Sequence, residues 1–246
     1  MVKAFAYGAG SVEVSQALQQ SNLVDYLAVA VADEGVELRK AGITLPIIIM
    51  DPEVAALDLI LENNLQPNIY SFQVLDDIIS VAEAKGLEQV PIHIKIDSGM
   101  HRLGFYKEDM EALANRLKGQ KAVRVSTIFS HLAGSDEEQF DAFTHEQAAY
   151  FQSCASILSP LTSCLSPISI APEGRPLLHL CNTAGIERFP GYHFDMCRLG
   201  IGMYGISFLQ KSETGSPKED ARSRKPDTQN VCTLKTTILS IKTVPA

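Results

Sequence analysis

No tryptophan occurs in this chain of 246 residues, and no apolar run is long enough to span a bilayer. The first residues lack the basic segment and apolar stretch of a secretory signal. Positive charge is scarce: 21 Lys and Arg stand against 29 Asp and Glu, and the formal charge of −8 argues against nucleic acid as the main partner. Any anionic ligand would therefore need a local cationic pocket. The cysteines are Cys154, Cys164, Cys181, Cys197 and Cys232, an odd set with no CxxC pair. They supply no metal framework and fit a reducing cytoplasm. A content of 46% hydrophobic and 20% charged residues describes an ordinary globular protein. The length suits one large α/β barrel or two smaller domains.

The opening stretch Val2-Lys3-Ala4-Phe5-Ala6-Tyr7-Gly8-Ala9-Gly10 alternates in character and reads as a strand, with Lys3 and Tyr7 on one face. Glycines and an N-capping Ser11 follow. A strand, a glycine turn and a helix start gather free backbone N–H groups that can hold a phosphate. A lysine just before such a site can join an aldehyde cofactor carrying a phosphate. The plainer alternative is a solvated lysine.

Further strands are expected at Tyr26–Val31, Pro46–Met50, Asn68–Tyr70, Pro91–Asp97, Val123–Ser130 and Leu177–Cys181, with a short one at Phe194–Arg198. Helices are expected between them: from Ser11 to Gln20, Asp33 to Ala41, after Asp51-Pro52-Glu53, from Ser71 to Gly86, Lys107 to Lys118 and Asp136 to Leu158. A Ser- and Pro-rich loop is expected from Ser159 to Pro176. This alternation implies a parallel sheet, and about eight such units imply a closed (β/α)8 barrel of the TIM type. The barrel is expected over residues 1–205, a polar linker over 206–230, and the first strand of a second, β-rich domain over 231–246. Because the chain starts and stops in strands, it is expected to be a fragment.

In such a barrel the chemistry gathers at the C-terminal ends of the strands. The polar residues there are Lys3, Tyr7, Lys95, Asp97, Arg102, His131, Asn182, Thr183 and Arg198, the last just before Gly200-Ile201-Gly202. Each has a structural alternative. His131 could be a satisfied core histidine, Lys95 could snorkel outward, and Arg102 could pair with Asp97. Asn182 and Thr183 could be helix caps, and Arg198 a surface charge. His93 and His101 have no partner spacing and read as structural. Joint placement at one mouth favours the functional reading.

Five segments, in order, resemble the alanine racemase family, fold-type III enzymes that use pyridoxal 5′-phosphate. They are Val2-Lys3-Ala4-Phe5-Ala6-Tyr7-Gly8, Lys95-Ile96-Asp97-Ser98-Gly99-Met100-His101-Arg102-Leu103-Gly104, Phe129-Ser130-His131, Cys181-Asn182-Thr183-Ala184 and Arg198-Leu199-Gly200-Ile201-Gly202-Met203-Tyr204-Gly205. The piece from Leu234 to Ala246 resembles the opening strand of the family's second domain. The resemblance implies interconversion of L- and D-alanine for peptidoglycan, in the cytoplasm, by a homodimer when full length, with alanine as the partner rather than membrane or nucleic acid. Lys3 would hold the cofactor and serve as an acid/base. Tyr7, Asn182, Thr183, Gly200 and Ile201 would bind its phosphate end. His131 would lie against the ring, Arg198 would face the pyridine nitrogen, and Arg102 would contact the phenolic oxygen and place the substrate. Lys95 matches a position that many members carbamylate. Lys3, Arg102 and His131 form the expected catalytic set.

Racemisation removes an α-proton and returns it on the other face, so it needs two acid/base groups. An arginine beside the pyridine nitrogen keeps its proton and donates without transferring it. The chain departs from the family at Phe5 and Ala9, where Asn and His are usual. It shows no candidate after Tyr204 for the tyrosine that is the family's opposite base. The variant lysine motif also resembles members fused behind a cell-wall ligase. The competing readings are a non-catalytic pyridoxal-phosphate carrier and an unrelated barrel that binds a sugar phosphate.

Overall fold

The structure is a computed structural model and describes residues 1–162 and 175–209. Its centre is a six-stranded parallel sheet in the order β1-β2-β3-β4-β5-β6. The strands are β1 (Leu27–Val29), β2 (Ile47–Ile49), β3 (Gln66–Ile69), β4 (Val90–Lys95), β5 (Val123–Phe129) and β6 (Leu177–His179). Between them run helices that cover the outer face. The sequence pattern explains each. Ser71 caps α5 (Phe72–Ala84) by accepting from the Val74 N–H at 3.3 Å, and Val74, Leu75, Ile78, Ile79 and Ala82 form its buried stripe. In α6 (Met110–Leu117) the buried stripe is Met110, Leu113, Ala114 and Leu117. Strands β1 and β2 are buried along their whole length, as sheet residues under helices must be.

The sheet curls toward closure. At one edge the Val2 N–H donates to Ala28 O at 2.9 Å, and at the other Met196 bridges His179 in parallel. Met1 N donates to Leu199 O at 2.9 Å, so the two edges meet. The fold is thus an α/β barrel, with six regular strands among the described residues and irregular chain where a first and an eighth strand were expected.

Both departures have physical causes. Residues Lys3–Tyr7 form a short helical turn, α1, and Ala4, Phe5, Ala6 and Tyr7 all have φ between 51° and 55°. Alternation suggested a strand, but two of its positions are alanines, which strands disfavour. After the one Val2 link, the Glu34 carboxylate takes the Ala4 N–H at 2.7 Å and turns the chain away. Glu34 also accepts from Ala30 N, tying the turn to the end of β1. At Phe194–Arg198 the Asp195 carboxylate accepts from Leu178 N at 2.8 Å and from Arg175. A side chain thereby takes a donor from the strand edge, and the pairing is cut to a single bridge.

The helix expected from Asp136 starts as a 3-10 turn, Glu138–Phe140, and becomes α7 (Asp141–Thr162), which runs into the expected Ser/Pro loop. The remaining helices are α2 (Ser11–Ser21), α3 (Ala32–Lys40), α4 (Leu57–Glu62) and α8 (Thr183–Arg188). Cys164, Cys232, most of the expected linker and the segment 231–246 lie outside the described residues. Among the described residues, no helix is long and apolar enough to cross a membrane.

Candidate active site

A cavity of about 400 Å³ opens where the strand ends converge. Lys3, Tyr7, Arg102, His131, Asn182, Thr183, Arg198, Gly200 and Ile201 all line it. These are the residues expected from the sequence, apart from Lys95 and Asp97. The left-handed turn does what the pleat was expected to do: it delivers Lys3 and Tyr7 to the same space.

One wall is a cradle of hydroxyls and backbone N–H groups. Thr183 Oγ1 accepts from Gly200 N at 3.2 Å and Gly202 N at 3.1 Å. A Cβ on Gly200 would stand 3.1 Å from the Tyr7 hydroxyl, which places that hydroxyl against the same backbone. A Cβ on Gly202 would collide with Thr183 Cγ2, so glycine is needed there for close approach. Burial raises the Tyr7 pKa and keeps its proton in place as a donor. Asn182 lines the cavity but also caps α8, accepting from Gly185 N and Ser135 Oγ, both at 2.9 Å. The cap reading and the site reading of Asn182 therefore coexist.

The opposite wall is cationic and buried. Arg198 is not a surface charge. Its terminal nitrogens donate to Ser130 O at 2.6 Å, Leu180 O at 2.8 Å, His179 O at 3.2 Å and His179 Nδ1 at 2.8 Å. The side chain lines the cavity. Burial lowers the Arg198 pKa to about 10. His131 Nδ1 lies 3.4 Å from Arg198 Nη2. Burial first, then the charge of Arg198, holds His131 well below the usual histidine range, so it is neutral.

Lys95 does not snorkel outward. It is only 6% exposed, with Nζ 5.0 Å from the centre of the Phe129 ring. Desolvation, then Arg198 and Arg102, lowers its pKa to about 7. Asp97 does not pair with Arg102 among the described residues. Its carboxylate accepts from Gly99 N and His101 N, both at 3.0 Å, and shapes the loop that carries Arg102. Gly104 returns that loop at φ +128°, where a Cβ would sit 2.5 Å from Asp97 N. Arg102 itself is exposed at the cavity rim.

Sequence reasoning missed three contributors. Asp136 lines the cavity. His179 is the ring that holds Arg198, and its inward position on β6 was the available signal. His93, read as having no partner, accepts or donates at both ring nitrogens: Nδ1 to Thr127 Oγ1 at 2.8 Å and Nε2 to Gln66 Oε1 at 2.9 Å. Among the described residues, no group of His, Cys, Asp and Glu could hold a metal ion.

Together these features define a parallel barrel protein with an amine, a cradle of hydroxyls and backbone N–H groups and a buried guanidinium at one mouth. The family described as "Alanine racemase, N-terminal domain" matches residues 1–208. The chain belongs to that family. A curated relative, "Alanine racemase 1" of Oceanobacillus iheyensis, is 34% identical over 211 residues, covering 84% of this chain and 52% of the relative. A solved alanine racemase of Clostridium difficile 630 superposes with a TM-score of 0.73 at 33% identity, covering 83% of this chain and 50% of that one. The alanine racemase of Bartonella henselae, solved with covalently bound pyridoxal phosphate, shares the fold at 24% identity and a TM-score of 0.71, covering 87% of this chain and 57% of its own. The chain thus spans about half the length of these relatives.

Proposed function

We propose that this chain is the cofactor-carrying part of a pyridoxal-phosphate-dependent alanine racemase, supplying D-alanine for peptidoglycan in the cytoplasm. The observation that carries the reading is the convergence of Lys3, the Thr183–Gly200 cradle and the buried Arg198 guanidinium on one cavity. The residues fit the cofactor. Thr183 Oγ1, the Tyr7 hydroxyl and the backbone of Gly200 and Ile201 suit a phosphate, with Asn182 beside them. Arg198 would face the pyridine nitrogen, His131 would lie against the ring, and Arg102 would bond the phenolic oxygen.

When bound, the cofactor supplies an electron sink for a carbanion at the α-carbon. The chain's own residues do the rest. Lys3 would hold the cofactor through Nζ, and the same amine would hold or move a proton on one face of the α-carbon. Arg198 donates a hydrogen bond without giving up its proton, which keeps the sink weak. With its pKa lowered to about 7, about half of the Lys95 amine is neutral near pH 7, and that form can add carbon dioxide with release of a proton. The resulting carbamate would turn a buried cation into an anion that orients Arg102. The opposite base would come from the second domain of a homodimer.

Borohydride reduction of the protein loaded with pyridoxal phosphate, followed by peptide mapping, tests the reading. The pyridoxyl group should be on Lys3. A label on Lys95 instead would overturn the assignment. Alone, this chain should exchange the α-proton of one alanine enantiomer with deuterium oxide faster than it inverts it.

A further inference from the structure

Behind Arg198 a chain of buried hydrogen bonds runs across the barrel interior. Arg198 Nη1 meets His179 Nδ1 at 2.8 Å, and His179 Nε2 meets Thr127 Oγ1 at 2.9 Å. Thr127 Oγ1 meets His93 Nδ1 at 2.8 Å, and His93 Nε2 meets Gln66 Oε1 at 2.9 Å. The side chains come from β3, β4, β5 and β6, and His93, Thr127 and His179 are each at most 1% exposed. Burial, with Arg124 near His93 and Arg198 near His179, lowers both histidine pKa values, that of His93 to about 3. Both rings are therefore neutral, and each carries one proton on one nitrogen.

Donor and acceptor chemistry then fixes every proton. A guanidinium can only donate, so His179 Nδ1 accepts and its proton sits on Nε2. That N–H donates to Thr127 Oγ1. The single hydroxyl proton of Thr127 is left to bond His93 Nδ1, which accepts. The His93 proton is on Nε2 and ends on the Gln66 carbonyl. All four bonds point the same way, from Arg198 to Gln66. Thr127 is the one member that takes a proton from one ring and offers a proton to the other.

We infer that Thr127 is a positioning residue for Arg198, fixing the His179 tautomer so that Nδ1 stays an acceptor and the guanidinium keeps its orientation toward the cavity. Without the hydroxyl, His179 Nε2–H has no acceptor. The other tautomer would set Nδ1–H against an arginine N–H, donor against donor. Phe129, stacked on the His179 ring at 4.8 Å and 11°, holds the ring plane but offers no acceptor. The importance of Arg198 for catalysis rests on the proposed function above. The hydrogen-bond chain itself does not.

The test is nitrogen-15 NMR of the histidine and arginine side chains in the 246-residue protein without cofactor. Wild type should show both His93 and His179 as the Nε2–H tautomer, with slowly exchanging Arg198 Nη protons. Thr127→Val, which keeps the shape and removes the hydroxyl, should mix the His179 tautomers and speed Arg198 Nη exchange by about tenfold or more, as expected when a buried donor loses its acceptor. Thr127→Ser should restore both signals. A wild-type His179 with its proton on Nδ1 overturns the inference, and this reading holds even where Thr127→Val fails to fold. Unchanged tautomers and exchange in a folded Thr127→Val protein also overturn it. Failure of the racemase reading would appear separately, as the absence of a pyridoxyl label on Lys3.

Discussion

On the side of Tyr7, Thr183, Gly200 and Gly202, the cavity wall consists of hydroxyls and N–H groups that already bond one another. On the side of Lys95, His131 and Arg198 it consists of cationic and imidazole groups at or beside the ends of regular strands. The first wall stands on the irregular seam where the barrel edges meet, and its geometry depends on chain bending that tolerates no Cβ at Gly202. In the second wall Lys95 and His131 stand at the ends of β4 and β5, Arg198 reaches in from the irregular segment after β6 to bond that ladder, and the wall's properties depend on burying charge. Steric change should therefore damage the cradle, whereas changes of charge and pH should act on the cationic wall.

The largest expected effect breaks the cationic wall outright. Arg198→Leu strips donors from the buried Ser130 and Leu180 carbonyls, each worth about 1–3 kcal/mol when left unpaired. A loss of about 3 kcal/mol should lower the melting temperature by roughly 6–12 °C. Scanning calorimetry would check it, and an unchanged melting point would mean the carbonyls find other partners. Gly202→Ala should come next, at about 2 kcal/mol of overpacking. It should also weaken pyridoxal phosphate binding measured by titration, whereas Gly191→Ala, with open space around its Cβ, should do neither.

Under the proposed function, Arg102→Lys should lower racemase turnover at least about tenfold, roughly 1.4 kcal/mol, because a planar fork is lost. Unchanged steady-state kinetics would leave Arg102 outside the reaction. The last effect is a slope with pH rather than a single loss. Lys95 has a pKa near 7 in the folded chain against 10.5 for the free group. Between those values the unfolded chain binds more protons, so stability should rise with pH from about 7 to about 10.5. Lys95→Met should flatten that rise in urea titrations and be nearly silent at its upper end. A parallel curve for the variant would show that the buried amine titrates normally.

The same division explains how much could be read beforehand. Capping by Ser71, the apolar stripes of α5 and α6 and the all-apolar runs of β1 and β2 are local signals, and they placed the ladder side well. Lys3, Arg102, His131 and Arg198 were expected together because strand ends of a parallel barrel share one mouth, and all four line the cavity. The seam was misread because its cause is distant: Glu34 captures the Ala4 N–H from 30 residues away. Asp195 likewise withdraws Leu178 N from the edge of the sheet. His93 was read as structural, and it is buried with two partners, but Gln66 and Thr127 reach it only through strand register, which spacing along the chain does not reveal.

The seam also sets an order of assembly. Each sheet pairing from β1 to β6 joins strands that are neighbours in sequence, but the links from Met1 to Leu199 and Tyr204 span 198 and 203 residues. Closing so long a loop costs entropy that is recovered only once the intervening strands are in place. A folding chain would thus gain its sheet first and its cradle last, since Tyr7 and Gly200 come from opposite sides of the join. With no tryptophan in the chain, fluorescence from tyrosine is unmasked. The Tyr7 and Tyr204 rings meet at the join with centroids 5.2 Å apart, so their contact would report the closing step as it happens.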